Sequence, residues 1–332
     1  MLISFFKSSY LIQYGLLVVL AVLLWFGAFT HPVNHGFIAN SYLSPAFNLI
    51  SSIAVPGSIL GIIIAFLLNL FIAFSLNFSL IRNDLTPTNS LIPALVYIVA
   101  SSVSIRVMGL NPVLFSSLLL IISFHNLLGI YSEEDAFDKV FNAGFFIGLA
   151  SAFYFPAIFF FLFIWFTFVV FRLQNWREWV IAFLGLVTPY LFIFTWFFLN
   201  DELTGLLISY QEYFTSISFF NFQLDMGWGS FLIFGIMALM VLVGIFRVMA
   251  GINEKTILVR KKTWAIMWFT IMALLVFFIS PPSEFYGLGL LTISISAFIA
   301  IAFSYIRRLF WFEIAFGIFI IMIVLNNVFG SA

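Results

Sequence analysis

Long apolar runs recur from one end of the chain to the other, and this feature most restricts what the chain can fold into. Many of these runs approach the roughly 20 residues that an α-helix needs to cross a bilayer, and short polar stretches separate them. Only 8% of the residues are charged, against about 25% in an ordinary soluble domain. So few charges could not cover the surface of a soluble fold of 332 residues. The sequence therefore predicts an all-α fold, a polytopic transmembrane helical bundle.

Composition restricts the other protein classes as well. The strict alternation of apolar and polar residues that is typical of a transmembrane β-barrel is absent. The chain has no cysteine, so disulfides, thiol nucleophiles and thiolate metal sites are excluded. The net charge is zero, which argues against nucleic acid as a partner. No long soluble segment interrupts the apolar runs, so we expect residues 1–332 to form a single integral membrane domain.

The run over residues 137–171 is too long for one span. A helix of this length would extend about 52 Å, against a hydrocarbon core of about 30 Å. Pro156 lies near its middle, where it removes a helix hydrogen bond. We therefore predict two short helices with a tight turn at YFPA, residues 154–157, and about 11 spans in total. The other candidate spans cover residues 11–30, 57–81, 91–105, 111–130, 179–199, 230–250, 263–280, 286–306 and 309–328, and a short interfacial helix over residues 45–54 can precede the second.

The positive charges support this count, because cytoplasmic loops collect lysine and arginine. If the side that holds Lys7 is the inside, all of the 13 lysines and arginines except Arg106 fall in inner loops. Treating residues 137–171 as one span would move the later positive charges to the outside. The sequence therefore predicts the N-terminus inside and the C-terminus outside.

The predicted outer loops contain most of the residues that could form a functional site. The longest, residues 200–229, contains an amphipathic pattern of Leu203, Leu207, Tyr210, Phe214 and Ile217, which predicts a helix lying in the membrane interface. Acidic side chains in these loops could form a catalytic or cation-binding cluster, or only a solvated rim, and Arg106 could reach a lipid phosphate. The candidate outer-face polar residues are His31, His35, Arg106, Asp201, Glu202 and Glu284.

The stretch HPVNHG places two of the three histidines four residues apart, a spacing that suits metal binding on a helix. Pro32 and Gly36 indicate a loop instead, and no acidic residue lies nearby to complete a site. We therefore predict no metal and no cofactor here, and we interpret the loop as a lid over a helix pair. The catalytic residues, if the protein has any, are unknown from the sequence.

Small residues at four-residue spacing predict close helix packing. One set is Gly57 and Gly61, in GSILG, and the other is Gly144, Gly148 and Ala152, in GFFIGLASA. Ionisable residues within the predicted spans are few, so a proton relay or an ion-coupled transporter has little support.

Four stretches together resemble an uncharacterised family of multi-pass bacterial inner-membrane proteins: RNDLTPTNSLIPAL, LNPVLFSSLLLI, FNAGFFIGLASAFYFPA and NWREWVIAFLGLVTPY. The resemblance covers residues 47–199 well and the rest loosely, and it implies a location in the bacterial inner (cytoplasmic) membrane but no catalytic residues. The layout is also distantly similar to that of polytopic glycosyltransferases that use polyprenyl-phosphate sugars. Those enzymes need an acidic residue in the first outer loop, and the loop here, HPVNHGFIANSYLS, has none.

These observations favour a non-catalytic integral inner-membrane subunit or scaffold of a cell-envelope complex. Its expected partners are membrane lipid and other membrane-protein subunits. One alternative is a polyprenyl-lipid-dependent, glycosyltransferase-like enzyme in which a distant acid such as Asp201 substitutes for the missing one. A second alternative is a transporter of lipids or small solutes.

Overall fold

A computed structural model of the chain describes residues 2–30, 43–103, 108–132, 136–173, 175–217, 228–280, 287–305 and 310–329. Every regular element in these ranges is helical. The helices are α1 Leu2–Phe5, α2 Leu11–Thr30, α3 Pro45–Ser51, α4 Ile59–Arg82, α5 Ile92–Ser101, α6 Pro112–Gly129, α7 Phe137–Phe153, α8 Phe161–Phe171, α9 Trp176–Leu199, α10 Leu203–Ser216, α11 Trp228–Ala250, α12 Ile257–Ile279, α13 Gly287–Tyr305 and α14 Phe310–Phe329.

The long apolar helices are of the kind found in multi-pass membrane proteins. Within the described ranges, 7 helices are long and apolar enough to cross a membrane: α2, α4, α6, α9, α11, α12 and α13. Shorter apolar helices cover Ile92–Ser101, Phe155–Phe171 and Phe312–Asn327. The finer prediction of about 11 spans, with the N-terminus inside and the C-terminus outside, stays a prediction.

Side-chain hydrogen bonds show which ends of the helices lie together. Ser123 Oγ donates to the Ala143 carbonyl oxygen (2.9 Å), and Lys139 Nζ donates to the Gly129 carbonyl oxygen (3.2 Å). Helices α6 and α7 are therefore antiparallel. The start of α12 lies beside the ends of α4 and α8, because Lys262 Nζ donates to Asn83 Oδ1 (2.9 Å) and Lys261 Nζ to the Phe171 carbonyl oxygen (3.4 Å).

These contacts define two ends of the bundle. We call the end that contains Asn83, Gly129, Phe171 and Lys262 the basic end, because every lysine and arginine that the structure describes lies there or in an adjoining turn. At the opposite end, the hydroxyl groups of Tyr154 and Ser280 lie 2.6 Å apart, which joins the ends of α7 and α12. The charge sorting that the sequence suggested therefore reappears in the packing of the helices.

The predicted helix break near Pro156 is confirmed. Helix α7 ends at Phe153, Tyr154 has extended backbone angles, and a 3-10 helix over Phe155–Phe160 leads into α8. Pro156 occupies a position early in the 3-10 helix, where its missing N–H leaves no hydrogen bond unmade. The chain reverses here, because α8 returns to the basic end, where a short turn leads into α9.

Helix α5 is central and short. Its 10 residues extend about 15 Å, half of the roughly 30 Å hydrocarbon core. The side chains from Ile92 to Ala100 are all buried, and α5 packs mainly against α4 and α13. Ser102 and Val103 after α5, and residues 108–111 before α6 begins at Pro112, are not helical. The helix therefore ends inside the bundle rather than at its surface.

One predicted packing pair is corrected. Gly57 and Gly61 do not share a helix face, because α4 begins only at Ile59 and Gly57 precedes it with a positive φ of 84°. Ser58 is the N-cap, and its hydroxyl accepts a hydrogen bond from the Gly61 N–H (3.0 Å). Gly57 therefore forms a turn for which glycine has little steric cost, and Gly61 is a buried helix residue.

The amphipathic segment after α9 is helical as predicted, over Leu203–Ser216, and one side of this helix is buried against the protein. Leu206, Ser209 and Tyr213 of α10 are buried, whereas Leu207 and Phe214 are about half exposed. Four of the five predicted positions, Leu203, Leu207, Tyr210 and Phe214, lie within the helix and form an apolar stripe at the edge of this buried side, and Ile217 follows the helix. The remaining apolar side chains of α10 are left outside the protein contact, where a membrane interface can receive them.

Candidate functional site

The structure describes two of the six candidate outer-face polar residues, Asp201 and Glu202. His31, His35, Arg106 and Glu284 lie outside the described residues. Asp201 and Glu202 lie at the opposite end, in the turn between α9 and α10. Among the described residues, no group of three histidine, aspartate or glutamate side chains lies close enough together to hold a metal ion.

Glycines bring α7 and α9 into backbone contact. A Cβ added at Gly144 would collide with the Ala182 carbonyl oxygen, and one at Gly148 would lie 2.5 Å from the Leu186 carbonyl oxygen. Gly185 has the reciprocal contact, against the Phe141 carbonyl oxygen. Gly144 meets Ala182, and Gly148, one turn further along α7, meets Leu186, one turn further along α9. The two helices therefore run parallel. Their close approach positions one wall of a groove.

This groove, the α3–α7–α9 groove, lies at the opposite end of the bundle. It has a volume of about 720 Å³. Its walls are apolar apart from Asn48 and Glu202, and its outer rim contains the well-exposed rings of Phe192 and Trp196. The lining side chains belong to Pro45, Ala46, Asn48, Leu49, Phe145, Leu149, Ala152, Pro189, Phe192, Ile193, Trp196, Phe197 and Glu202. Of the predicted packing residues, Ala152 therefore lines the groove as well as lying on α7.

A chain of aromatic contacts holds α3 in place over the groove. Phe47 is 1% exposed, and its ring centroid lies 6.3 Å from that of Phe115 on α6. The Phe115 ring in turn stacks on Phe153, at 5.1 Å. Because α3 has only 7 residues, this anchor rather than its own hydrogen bonds keeps it against α7.

Glu202 is the only ionisable side chain on the groove, among the described residues that line it. Asp201 beside it has a positive φ of 58°, and the backbone N–H of Glu202 donates to the Phe197 carbonyl oxygen (2.9 Å). This turn ends α9 and leaves the Glu202 side chain exposed at the mouth of the groove. The groove therefore combines an apolar interior with one carboxyl group at its rim.

Aromatic rings fix α10 beside the turn that follows α7. The Phe155 ring stacks on Tyr210, with centroids 4.6 Å apart, and meets Tyr213 edge to face at 5.1 Å. Burial raises the pKa of the Tyr210 hydroxyl to about 12. Helix α10 is thus held at the opposite end by a packed aromatic cluster.

A second cavity, which we call the core cavity, lies inside the bundle beside the end of α5. It has a volume of about 30 Å³. It is lined by Trp25, Asn69, Tyr97, Ala100, Ser101, Val103, Asn111, Val113, Leu114, Ser117, Phe234, Met237, Leu288, Gly289 and Thr292. No ionisable carboxylate, amine, guanidinium or imidazole is in this set, yet many of its members are polar.

Two polar side chains at the core cavity have buried atoms without a hydrogen-bond partner. They are the indole Nε1 of Trp25 and both amide atoms of Asn69, which is 0% exposed. The Tyr97 hydroxyl, by contrast, has the Thr292 side chain as a polar neighbour at the cavity. Sequence analysis missed this site, although one signal was available: Asn69 is an amide in the middle of the apolar run that forms α4.

The basic end contains a connected set of polar side chains that ties α12 to α4 and α6. Lys262 is 3% exposed and donates to Asn83 Oδ1, and Asn83 Nδ2 donates to the Ser79 carbonyl oxygen (2.8 Å). The Ser79 hydroxyl lies 3.3 Å from His125 Nδ1. This arrangement cross-links helix ends, and its contacts do not position an acid and a nucleophile together.

No family model matches the sequence, and neither the curated proteins nor the solved structures contain a match to it. The resemblance to a bacterial inner-membrane family and the distant similarity to polyprenyl-dependent glycosyltransferases therefore stay expectations.

Proposed function

We propose that the protein is a non-catalytic integral membrane subunit of a bacterial envelope complex that holds the hydrocarbon chain of a lipid in the α3–α7–α9 groove. The observation that supports this proposal is the groove itself. Its volume of about 720 Å³ falls within the roughly 300–1,000 Å³ of ordinary ligand pockets, and such pockets are mostly apolar with few polar groups.

A chain-like apolar ligand fits the groove better than a polar solute does. Apart from Asn48, Glu202 and the indole N–H of Trp196 the lining offers no polar side-chain group. A solute with several hydroxyl or charged groups would therefore lose its hydration with little compensation. The groove also opens beside exposed aromatic rings, Phe192 and Trp196. A lipid could therefore enter sideways from the bilayer. In this proposal the basic end faces the cytoplasm, by the positive-inside rule, and the groove lies on the other side of the membrane.

One observation favours a second candidate, the polyprenyl-lipid-dependent transferase. Such an enzyme needs a carboxylate beside the lipid headgroup, and Glu202 is an acidic side chain at the rim of the groove. In that case the Glu202 carboxylate is the base of the reaction, in place of Asp201 or a residue of the first outer loop.

Native mass spectrometry of the full chain, purified in mild detergent, tests the binding proposal. Wild-type protein should retain one lipid. Leu149→Trp, which fills the groove, should lose it, whereas Leu239→Trp should keep it because Leu239 is 63% exposed on α11 and lies away from the groove. Equal lipid retention by both variants would overturn the assignment of the groove.

The same preparations separate the two candidate functions. Stable co-purification of other membrane proteins supports the subunit. Hydrolysis or transfer from an added polyprenyl-phosphate sugar, present in the wild type and lost in Glu202→Gln while lipid is still bound, supports the transferase and contradicts a non-catalytic role.

A further inference from the structure

We propose that the core cavity is a hydration site, in which one or two buried water molecules bind between the end of α5 and the side chains of Trp25 and Asn69. This inference is independent of the lipid groove, since the two cavities share no lining residue.

The size of the cavity restricts the ligand. A cavity needs roughly 10–15 Å³ of this kind of volume to hold one water molecule, and the core cavity has about 30 Å³. That space accommodates one or two water molecules and excludes a lipid, a sugar or a nucleotide.

The chemistry of the lining restricts the ligand of the core cavity further. Trp25 Nε1 and the Asn69 amide nitrogen are donors, and Asn69 Oδ1 is an acceptor. A bare cation would be repelled by the two donors, and the lining contains no carboxylate to offset its charge. An anion would meet no positively charged side chain. Water both donates and accepts, so it alone satisfies both kinds of atom.

The end of α5 supplies the other side of the site. The last four carbonyl groups of an α-helix have no partner within the helix, and Ala100 and Ser101 of α5 line the cavity. Just beyond them, Asn327 Nδ2 donates to the carbonyl oxygen of Ser102 (3.0 Å). Non-helical backbone at this depth in a membrane is tolerated where protein buries it or where it lines water.

The position of Asn69 places the site deep in the bundle. Asn69 is near the middle of the 24-residue helix α4, and it is fully buried. An amide at such a depth, with neither atom bonded to the protein, is the situation in which ordered water is normally found. Water here would let α5 end at half the thickness of the bilayer.

Hydroxyl-radical labelling by pulsed X-rays tests this proposal, because the radicals form from water at the place where the water is bound. The probe is Met237, which lines the core cavity. The matched control is Met272 on α12, which is also in the core (Met237 6% and Met272 3% exposed) but does not line the cavity. We expect Met237 to be oxidised several-fold faster than Met272 in the full-length protein. Equal rates would overturn the hydration site.

A variant tests whether the labelling arises inside the core cavity. Ser117→Val replaces a small polar lining residue by a larger apolar one and should bring the oxidation rate of Met237 down to that of Met272. Thr188→Val is the control, because Thr188 is partly exposed on α9, does not line the core cavity and bonds only to its own helix. If Met237 is labelled equally in both variants, the water lies elsewhere and the proposal fails.

Discussion

The contact between α7 and α9 and the surroundings of α5 are both regions of close helix packing, yet they are built in opposite ways. Between α7 and α9, glycines bring backbone against backbone, and little space remains between Gly148 and Leu186. Around α5, the helix stops at Ser101, and the neighbouring Asn69 and Trp25 have polar atoms without protein partners. The first region is tightly packed and apolar, and the second contains polar space.

The difference has a physical origin in the membrane. Helices that are already in lipid gain little from burying apolar surface, so close packing and satisfied hydrogen bonds must hold them together. The α7–α9 pair uses close packing, which requires small residues and complete helices. Helix α5 is only about half as long as a spanning helix, so hydrogen-bond donors from other helices must bond to the carbonyl groups at its end. Substitutions should therefore have different effects in the two regions.

The largest effect is expected from Gly148→Leu. The added side chain would meet the Leu186 backbone and Pro189, so α7 and α9 must separate. We expect the protein to lose about 3 kcal/mol of stability or more, at the upper end of overpacking penalties. Thermal unfolding followed by size-exclusion chromatography measures this. The control is Gly235→Leu, because a Cβ at Gly235 meets no atom within 4 Å; equal stability of the two variants would contradict the close contact.

A smaller loss is expected from Asn327→Leu at the end of α5. The substitution leaves the Ser102 carbonyl oxygen without its donor, and an unsatisfied buried group costs about 1–3 kcal/mol. Removal of the unpartnered Asn327 Oδ1 offsets part of that loss. Asn126→Leu is the control, since Asn126 Nδ2 donates to the Ile122 carbonyl oxygen of its own helix. Chemical denaturation of both variants should show a loss confined to Asn327→Leu.

The two regions also differ in how far the sequence could predict them. The small residues of α7 and the position of Pro156 are visible in the sequence. Their effect on the helix can be predicted without knowing which other helix they contact. The spacing of Gly57 and Gly61 was misleading, because four-residue spacing does not show where a helix begins; the N-cap residue Ser58 carried that information. The other residues that line the core cavity with Asn69 could not be predicted, since Met237 and Thr292 come from helices more than a hundred residues away.

The apolar stripe of α10 was predictable for a similar local reason, and its orientation was not. Apolar side chains can pack against lipid or against protein. The periodicity of the sequence therefore does not show which face of α10 contacts the protein and which contacts the lipid. Leu206 and Tyr213 face the protein because Phe155, far away in the sequence, meets that side of α10. The groove, likewise, depends on where the short helix α3 docks.

Asn69→Leu distinguishes a hydrated α5 region from a dry one. If water binds the amide, its loss removes hydrogen bonds and we expect a destabilisation of about 1 kcal/mol. A dry cavity would give a gain in stability instead, because an unpartnered buried amide is removed. The comparison variant is Asn77→Leu on the same helix, whose amide oxygen is also buried without a partner but does not line the core cavity. Denaturation curves of the two variants should therefore shift in opposite directions.

The smallest effect is expected at the aromatic cluster that continues the tightly packed region at the opposite end. Burial raises the pKa of Tyr210 to about 12, against about 10 for an exposed tyrosine. The neutral hydroxyl is therefore favoured in the folded state, and its contribution to stability is complete below pH 10 and lost as the pH rises towards 12. Ultraviolet absorbance of tyrosinate should show a late titration step that Tyr210→Phe removes. Phe155→Leu, which takes away the stacked ring, should admit water and move that step towards pH 10. If the titration step of Phe155→Leu stays at the same pH as in the wild type, the ring contact does not exclude water from Tyr210. The contrast between a dry region and a hydrated region would then not extend to this end of the molecule.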